Sequence, residues 1–123
     1  MHNYPWIHEE LSSKAGVTKD FKVEWNWHRW LIGGKMYAAV CVEDQSGEEV
    51  LLTLKLDPLE GDLLRKQYED IIPGYYMNKT HWNSIKLSGS VPDEVIRHMM
   101  VESYRLVAKS LSKKARAQLG IEG

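Results

Sequence analysis

The pair Gly33-Gly34, set between two runs of alternating residues, constrains this chain more than any other feature of it. A two-residue hairpin loop of the favoured type needs positive φ at both central positions, and glycine supplies that without a steric cost. The flanking runs then pair antiparallel, with Ile32 opposite Lys35, Leu31 opposite Met36, and Trp30 opposite Tyr37. This register predicts one side built from Leu31, Met36, Ala38, Val40 and Val42. The other side carries Trp30, Ile32, Lys35, Tyr37, Ala39 and Cys41.

The same period of two extends upstream through residues 19–32, where Phe21, Val23, Trp25 and Trp27 alternate with Lys22, Glu24, Asn26 and His28. That is the pattern of a strand with one buried face, which places Trp25 and Trp27 in the core. Asp44-Gln45-Ser46-Gly47 marks a second hairpin. The strand from Glu49 to Leu56 turns Val50, Leu52, Leu54 and Leu56 inward and Leu51, Thr53 and Lys55 outward. A three-strand antiparallel meander follows, one face covered by helices and the other at least partly solvated.

Helices bracket this meander. Residues 5–15 carry Trp6, Ile7 and Leu11 at helical spacing after Pro5 and end at Gly16. Asp57-Pro58-Leu59-Glu60 is a helix start with a capping oxygen, a proline at the first helical position and an acid able to reach back. Leu59, Leu63, Leu64 and Tyr68 form its apolar stripe, and Pro73-Gly74 ends it. A loop through Tyr75, Tyr76, Met77, Asn78 and Lys79 leads into a fourth strand, His81 to Leu87. Ser90-Val91-Pro92-Asp93 opens the last helix, which runs to about Leu119, with small Ser103 and Ser110 in its stripe suited either to a close approach to the sheet or to the edge of the stripe. The fold class is α+β, an antiparallel sheet with helices packed on one face, in the order α-β-β-β-α-β-α. With 123 residues, the chain reads as one domain over 1–123.

The single cysteine, Cys41, cannot close an internal disulfide and points to a reducing compartment. The start of the chain has neither the basic cluster nor the apolar run of a signal peptide, and no apolar stretch reaches membrane length, so a cytoplasmic location and no membrane partner are expected. Net charge is −1, which does not advertise a polyanion partner. The distribution is uneven: residues 1–96 carry 10 basic and 15 acidic side chains, and residues 97–123 carry 6 basic and 2 acidic. The basic end consists of Arg97, Arg105, Lys109, Lys113, Lys114 and Arg116, an arrangement that the helix dipole and a solvated face also favour.

Each standard catalytic pattern fails, and neither an enzyme activity nor a cofactor is expected. No phosphate-binding glycine loop occurs. His8-Glu9-Glu10 lacks the second histidine of the zinc-protease motif, and His2, His8, His28, His81 and His98 are dispersed, so no metal site is expected. Cys41 lies in an apolar strand, where a thiol is inert packing; pairing with His28 is conceivable, since both fall on the outward set, but no orienting group is nearby.

Four ordered segments, Gly33-Gly34-Lys35-Met36-Tyr37-Ala38, Leu54-Lys55-Leu56-Asp57-Pro58, Pro73-Gly74-Tyr75-Tyr76-Met77-Asn78-Lys79-Thr80-His81-Trp82 and Glu102-Ser103-Tyr104-Arg105-Leu106-Val107, resemble the MmcQ/YjbR-like family from about Gly16 to Lys114. The resemblance implies a fold similar to bacterial frataxin homologues and to a double-wing DNA-binding domain of a phage transcription factor. It also implies the DNA-binding label that members commonly carry by structural likeness. The positions matching the family's lysines are Lys35, Lys55 and Lys79, with His81 and Trp82 beside them. The first helix offers only Glu9 and Glu10, so the acidic helix of frataxins has no counterpart.

Two functional readings follow. In the first, nucleic acid is contacted through the outer sheet face and the 75–82 loop: Trp30 and Tyr37, next to Lys35, Lys55 and Lys86, suit base stacking with phosphate contacts, and Lys79, His81 and Trp82 adjoin them. An isoelectric point near 6.5 is low for such a domain. In the second, the same aromatic face binds a protein partner or a second copy of the chain. A small-ligand site using His81 and Lys55 forms a third class. Neither the oligomeric state nor any sequence preference is written in these residues.

Overall fold

A computed structural model describes residues 2–74 and 78–121. The elements in chain order are α1 (Ile7–Ser12), β1 (Val17–Lys22), β2 (Trp27–Ile32), β3 (Lys35–Val42), β4 (Glu49–Lys55), α2 (Pro58–Gln67), β5 (Ile71–Pro73), β6 (Trp82–Lys86), α3 (Asp93–Lys109) and α4 (Lys113–Gln118). The strands form one sheet in the order β1-β2-β3-β4-β6-β5, every neighbouring pair antiparallel. The α+β class and the helix-lined face agree with the sequence reading. Two strands are additional.

The first arises because residues 19–32 are two strands rather than one. The chain reverses between Lys22 and Trp27, with Asn26 at φ 61°. Asparagine tolerates that left-handed conformation, and its Nδ2 donates to Val42 O and to Asp44 Oδ1. Alternation continues across this turn, so Trp25 lands outside the core and is 52% exposed, with Val23 more open still. The second is β5, where Pro73 ends a three-residue strand at the sheet edge, the place a residue without an N–H can occupy.

The Gly33-Gly34 turn forms with φ of 55° and 80°. Ile32 pairs with Lys35 and Leu31 with Met36 as expected, but Trp30 pairs with Ala38. Tyr37 is the extra residue of a bulge, and one extra residue exchanges the two faces beyond it. Trp30 and Tyr37 are therefore buried in the main core, not displayed on the outer face. Trp30 Nε1 donates to Ser12 Oγ at 2.9 Å, and Tyr37 Oη donates to Leu11 O. Lys35 also turns from the outer face to the helix side, where Nζ reaches Ser110 Oγ at 3.2 Å.

Ile7 and Leu11 of α1, Ile96, Met99, Met100 and Val107 of α3, and Leu52, Leu54, Ile85 and Leu87 from the sheet and its end share that core, with Ala115 and Leu119 from α4 packed against it. Asp57 caps α2 by accepting from Leu59 N at 3.1 Å. Of the stripe expected for α2, Leu64 and Tyr68 pack on the core, whereas Leu59 and Leu63 are exposed. The last helix breaks at residues 110–112, because Ser112 caps a new helix by accepting from Ala115 N. Ser103 makes the close approach: its Oγ donates to Tyr37 O at 2.5 Å and accepts from Lys55 N at 2.8 Å. No helix among the described residues is long and apolar enough to cross a membrane.

Candidate functional site

Two regions concentrate chemistry, one on each side of the sheet. On the outer face, Trp27, Ala39 and Cys41 form a second buried cluster with Met36 and Leu51 packed against it. A polar seam runs beside it, in which Thr53 and Ser84 hydroxyls lie 2.8 Å apart and Cys41 Sγ sits 3.9 Å from Thr53 Oγ1. Burial pushes the Cys41 thiol up to about 11, a structural rather than a reactive cysteine. His28 occupies the opposite face, so Cys41 and His28 do not meet.

A groove of about 1040 Å³ opens over this cluster, lined by apolar Trp25, Trp27, Met36, Leu51 and Trp82. Trp25 stands edge-on to Trp27 with ring centroids 5.1 Å apart. The charges on its walls are Glu24, Glu43 and Asp44 against Arg29 alone. Arg29 is already held by Asp20, with Nη2 donating to Oδ2 at 2.5 Å. The Arg29 bond in turn holds the Asp20 carboxyl below the usual range. The groove is thus aromatic with an acidic rim.

The residues singled out for nucleic acid do not assemble on this face. Trp30 and Tyr37 are fully buried and present no ring to a base, and Lys35 is on the helix side. Trp82 lines the groove, Lys55 pairs with it across β4 and β6, Lys79 is exposed in the preceding turn, and His81 is half-buried there. Residues 75–77 of the expected contact loop lie outside the described residues. The register places the start of β3, the end of β4 and the start of β6 at one end of the sheet, so Lys35, Lys55 and Lys79 do share that end.

The second region was not foreseen. On the helix side, three of the five dispersed histidines converge on Glu49, the first residue of β4. His2 Nε2 lies 2.9 Å from Oε1, His8 Nε2 lies 2.7 Å from Oε2, and His28 Nε2 lies 3.5 Å from Oε2. The donor atoms of His8, His28 and Glu49 all lie within 4.8 Å of one another. Tyr4 N–H donates to His2 Nδ1 at 3.0 Å, which leaves the His2 proton on Nε2, facing the carboxylate. Lys19 Nζ donates to His8 Nδ1 at 3.0 Å and does the same for His8. Burial, then the fields of His8 and Lys19, hold the His28 pKa down. Burial raises the Glu49 carboxyl, but the hydrogen bonds and charges of the histidines outweigh it, and the net shift is downward. These residues come from the chain start, α1, β2 and β4, so no sequence spacing announces them.

A model of the YjbR family matches residues 12–106. The Escherichia coli K12 protein YjbR is 35% identical over 108 residues, covering 87% of this chain and 88% of its own. Bacillus subtilis YyaQ is 41% identical over 63 residues, 51% of this chain and 52% of that one. Among solved structures, the Deinococcus radiodurans protein DR2400 superposes with a TM-score of 0.85 at 29% identity, over 99% of this chain and 91% of its own. A Pseudomonas syringae protein shares the fold with a TM-score of 0.70 at 23% identity, over 85% of this chain and 98% of that one.

Proposed function

For a chain that belongs to the YjbR family, we propose a binding domain whose outer sheet face takes a cationic, apolar segment of a partner protein. The observation that supports this is the groove of Trp25, Trp27, Met36, Leu51 and Trp82 rimmed by Glu24, Glu43 and Asp44. Apolar side chains of the segment would be desolvated against the indoles, and its lysines or arginines would meet the acidic rim. A phosphate backbone would meet the same rim with repulsion. Selection from a library of random 12-residue peptides tests the reading. The enriched peptides are expected to be basic and to carry large apolar residues, and to lose binding to Trp25→Ala and Asp44→Lys. Enriched peptides that are acidic, or that bind both variants as well as the parent, would contradict it.

A second reading keeps nucleic acid but moves it to the end of the sheet that the starts of β3 and β6 and the end of β4 share, with Lys35, Lys55 and Lys79 at that end. Lys109 follows on the exposed end of α3, whose Ser110 is in contact with Lys35. Anisotropy of labelled duplex DNA measured against salt decides it. Contact with three phosphates gives a log–log slope of about −2.7, and an affinity lost in the Lys35→Glu/Lys55→Glu double variant. Absence of binding at low salt retires this reading.

A further inference from the structure

We propose that His8, His28 and Glu49 form a binding site for a divalent first-row transition ion of the zinc class, oriented by His2 and opposed by Lys19. Two imidazoles and a carboxylate are a donor set that such ions take with positions left for water or a further ligand. The spacing suits it. Ligand atoms around a shared ion bound at about 2.0–2.1 Å stand roughly 3–3.5 Å apart, and here His8 and His28 lie 2.7 and 3.5 Å from the same Glu49 oxygen. Small rotations of half-exposed side chains, 32%, 26% and 23% open for His8, His28 and Glu49, would open that space.

The surrounding groups have separable roles. His2 cannot be a ligand while Nδ1 accepts from Tyr4 N–H, because binding through Nε2 as well would require an imidazolate. It instead donates to Oε1 and turns Oε2 toward the two imidazoles, the supporting bond that metal carboxylates commonly have. A hollow of about 320 Å³, lined by His2, Pro5, Gly47, Glu48 and Glu49, lies on the His2 side of the carboxylate. When His8 binds through Nε2, its proton shifts to Nδ1, which can no longer accept from Lys19. Lys19 is exposed and can swing away, so it competes with the ion both by charge and by tautomer. Imidazole–carboxylate pairing alone would explain the contacts without any ion, and the experiment separates the two.

Tag-free protein is titrated with Zn²⁺ by calorimetry and with Co²⁺ by visible absorption. The expected result is one ion per chain, with a Co²⁺ d–d band of low symmetry. His28→Ala and Glu49→Gln each weaken binding at least 100-fold. His2→Ala weakens it about 10-fold, with stoichiometry and band retained, as for other supporting residues. His98→Ala removes a histidine that also pairs with a glutamate, Glu60 at 3.1 Å, and leaves binding unchanged. Lys19→Gln tightens binding about threefold to tenfold by removing a nearby positive charge, a direction that loss of folding cannot produce. No stoichiometric binding by the parent, equal binding by Glu49→Gln, or loss with His98→Ala would overturn the site.

Discussion

Replacing Ser103 by alanine takes one oxygen atom out of the contact between α3 and the sheet and leaves everything else in place. That oxygen is fully buried, donates to Tyr37 O at the bulge and accepts from Lys55 N. Each bond contributes about 1 kcal/mol net, and the stranded N–H and C=O cost a further 1–3 kcal/mol where water cannot replace the partner. Lys55 is only half-buried, so water recovers part of that cost, and the expected loss is about 2–3 kcal/mol. At about 2.1 cal/mol/K per residue, the unfolding entropy of 123 residues is roughly 0.26 kcal/mol/K, so the melting midpoint should fall by about 8–12 °C. Urea unfolding followed by circular dichroism should show a lower midpoint with an unchanged slope. Ser103→Gly should lose about 1 kcal/mol more through helix propensity. A loss under about 0.5 kcal/mol for Ser103→Ala would refute the reasoning, since the bulge would then hold without α3.

Trp30→Ala should cost about 3–5 kcal/mol and Trp25→Ala under about 1 kcal/mol by the same assay; the reverse order would restore the parity that the turn at Asn26 and the bulge together overturn. Gly33→Ala and Gly34→Ala should each lose about 1–2 kcal/mol for left-handed backbone. Gly33 should lose the more, because its Cβ would stand 3.1 Å from a Leu111 methyl while Gly34 has open space. The Cys41 thiol, held near 11, should react with a disulfide reagent at pH 8 at least about 100-fold more slowly in the folded protein than in denaturant, where its pKa returns to about 8.5. The sign of the linkage is fixed by the same shift: Cys41 contributes stability that is present below about pH 8.5 and lost as pH rises toward 11, measurable as a falling melting midpoint that Cys41→Ala flattens.

Much of the fold was legible because local chemistry determines it. Gly33-Gly34 dictates a hairpin, Asp57-Pro58 starts a helix, and small Ser103 marks where α3 meets the sheet. Two features escaped because a period of two does not reveal where it is interrupted. The reversal at residues 23–26 keeps the alternation intact, and the bulge at Tyr37 inserts a residue with no signature of its own. Together they moved Trp25 out of the core and Trp30, Tyr37 and Lys35 off the outer face. The break in the last helix rests on Ser112, one serine among several in that stretch. The cluster around Glu49 was illegible for a different reason. His8 and His28 lie 20 or more residues from Glu49 and from each other, and only the tertiary fold brings their side chains within 4.8 Å.

The proposed binding face can be read from five resolved signals, the indole N–H resonances of Trp6, Trp25, Trp27, Trp30 and Trp82, followed by NMR while a library-selected basic peptide is added. Binding in the acidic-rimmed groove shifts Trp25, Trp27 and Trp82 and leaves Trp30, bonded to Ser12, and Trp6, stacked under Arg97, in place. Shifts confined to Trp6 and Trp30, or movement of the groove signals by duplex DNA instead of the peptide, would contradict the account.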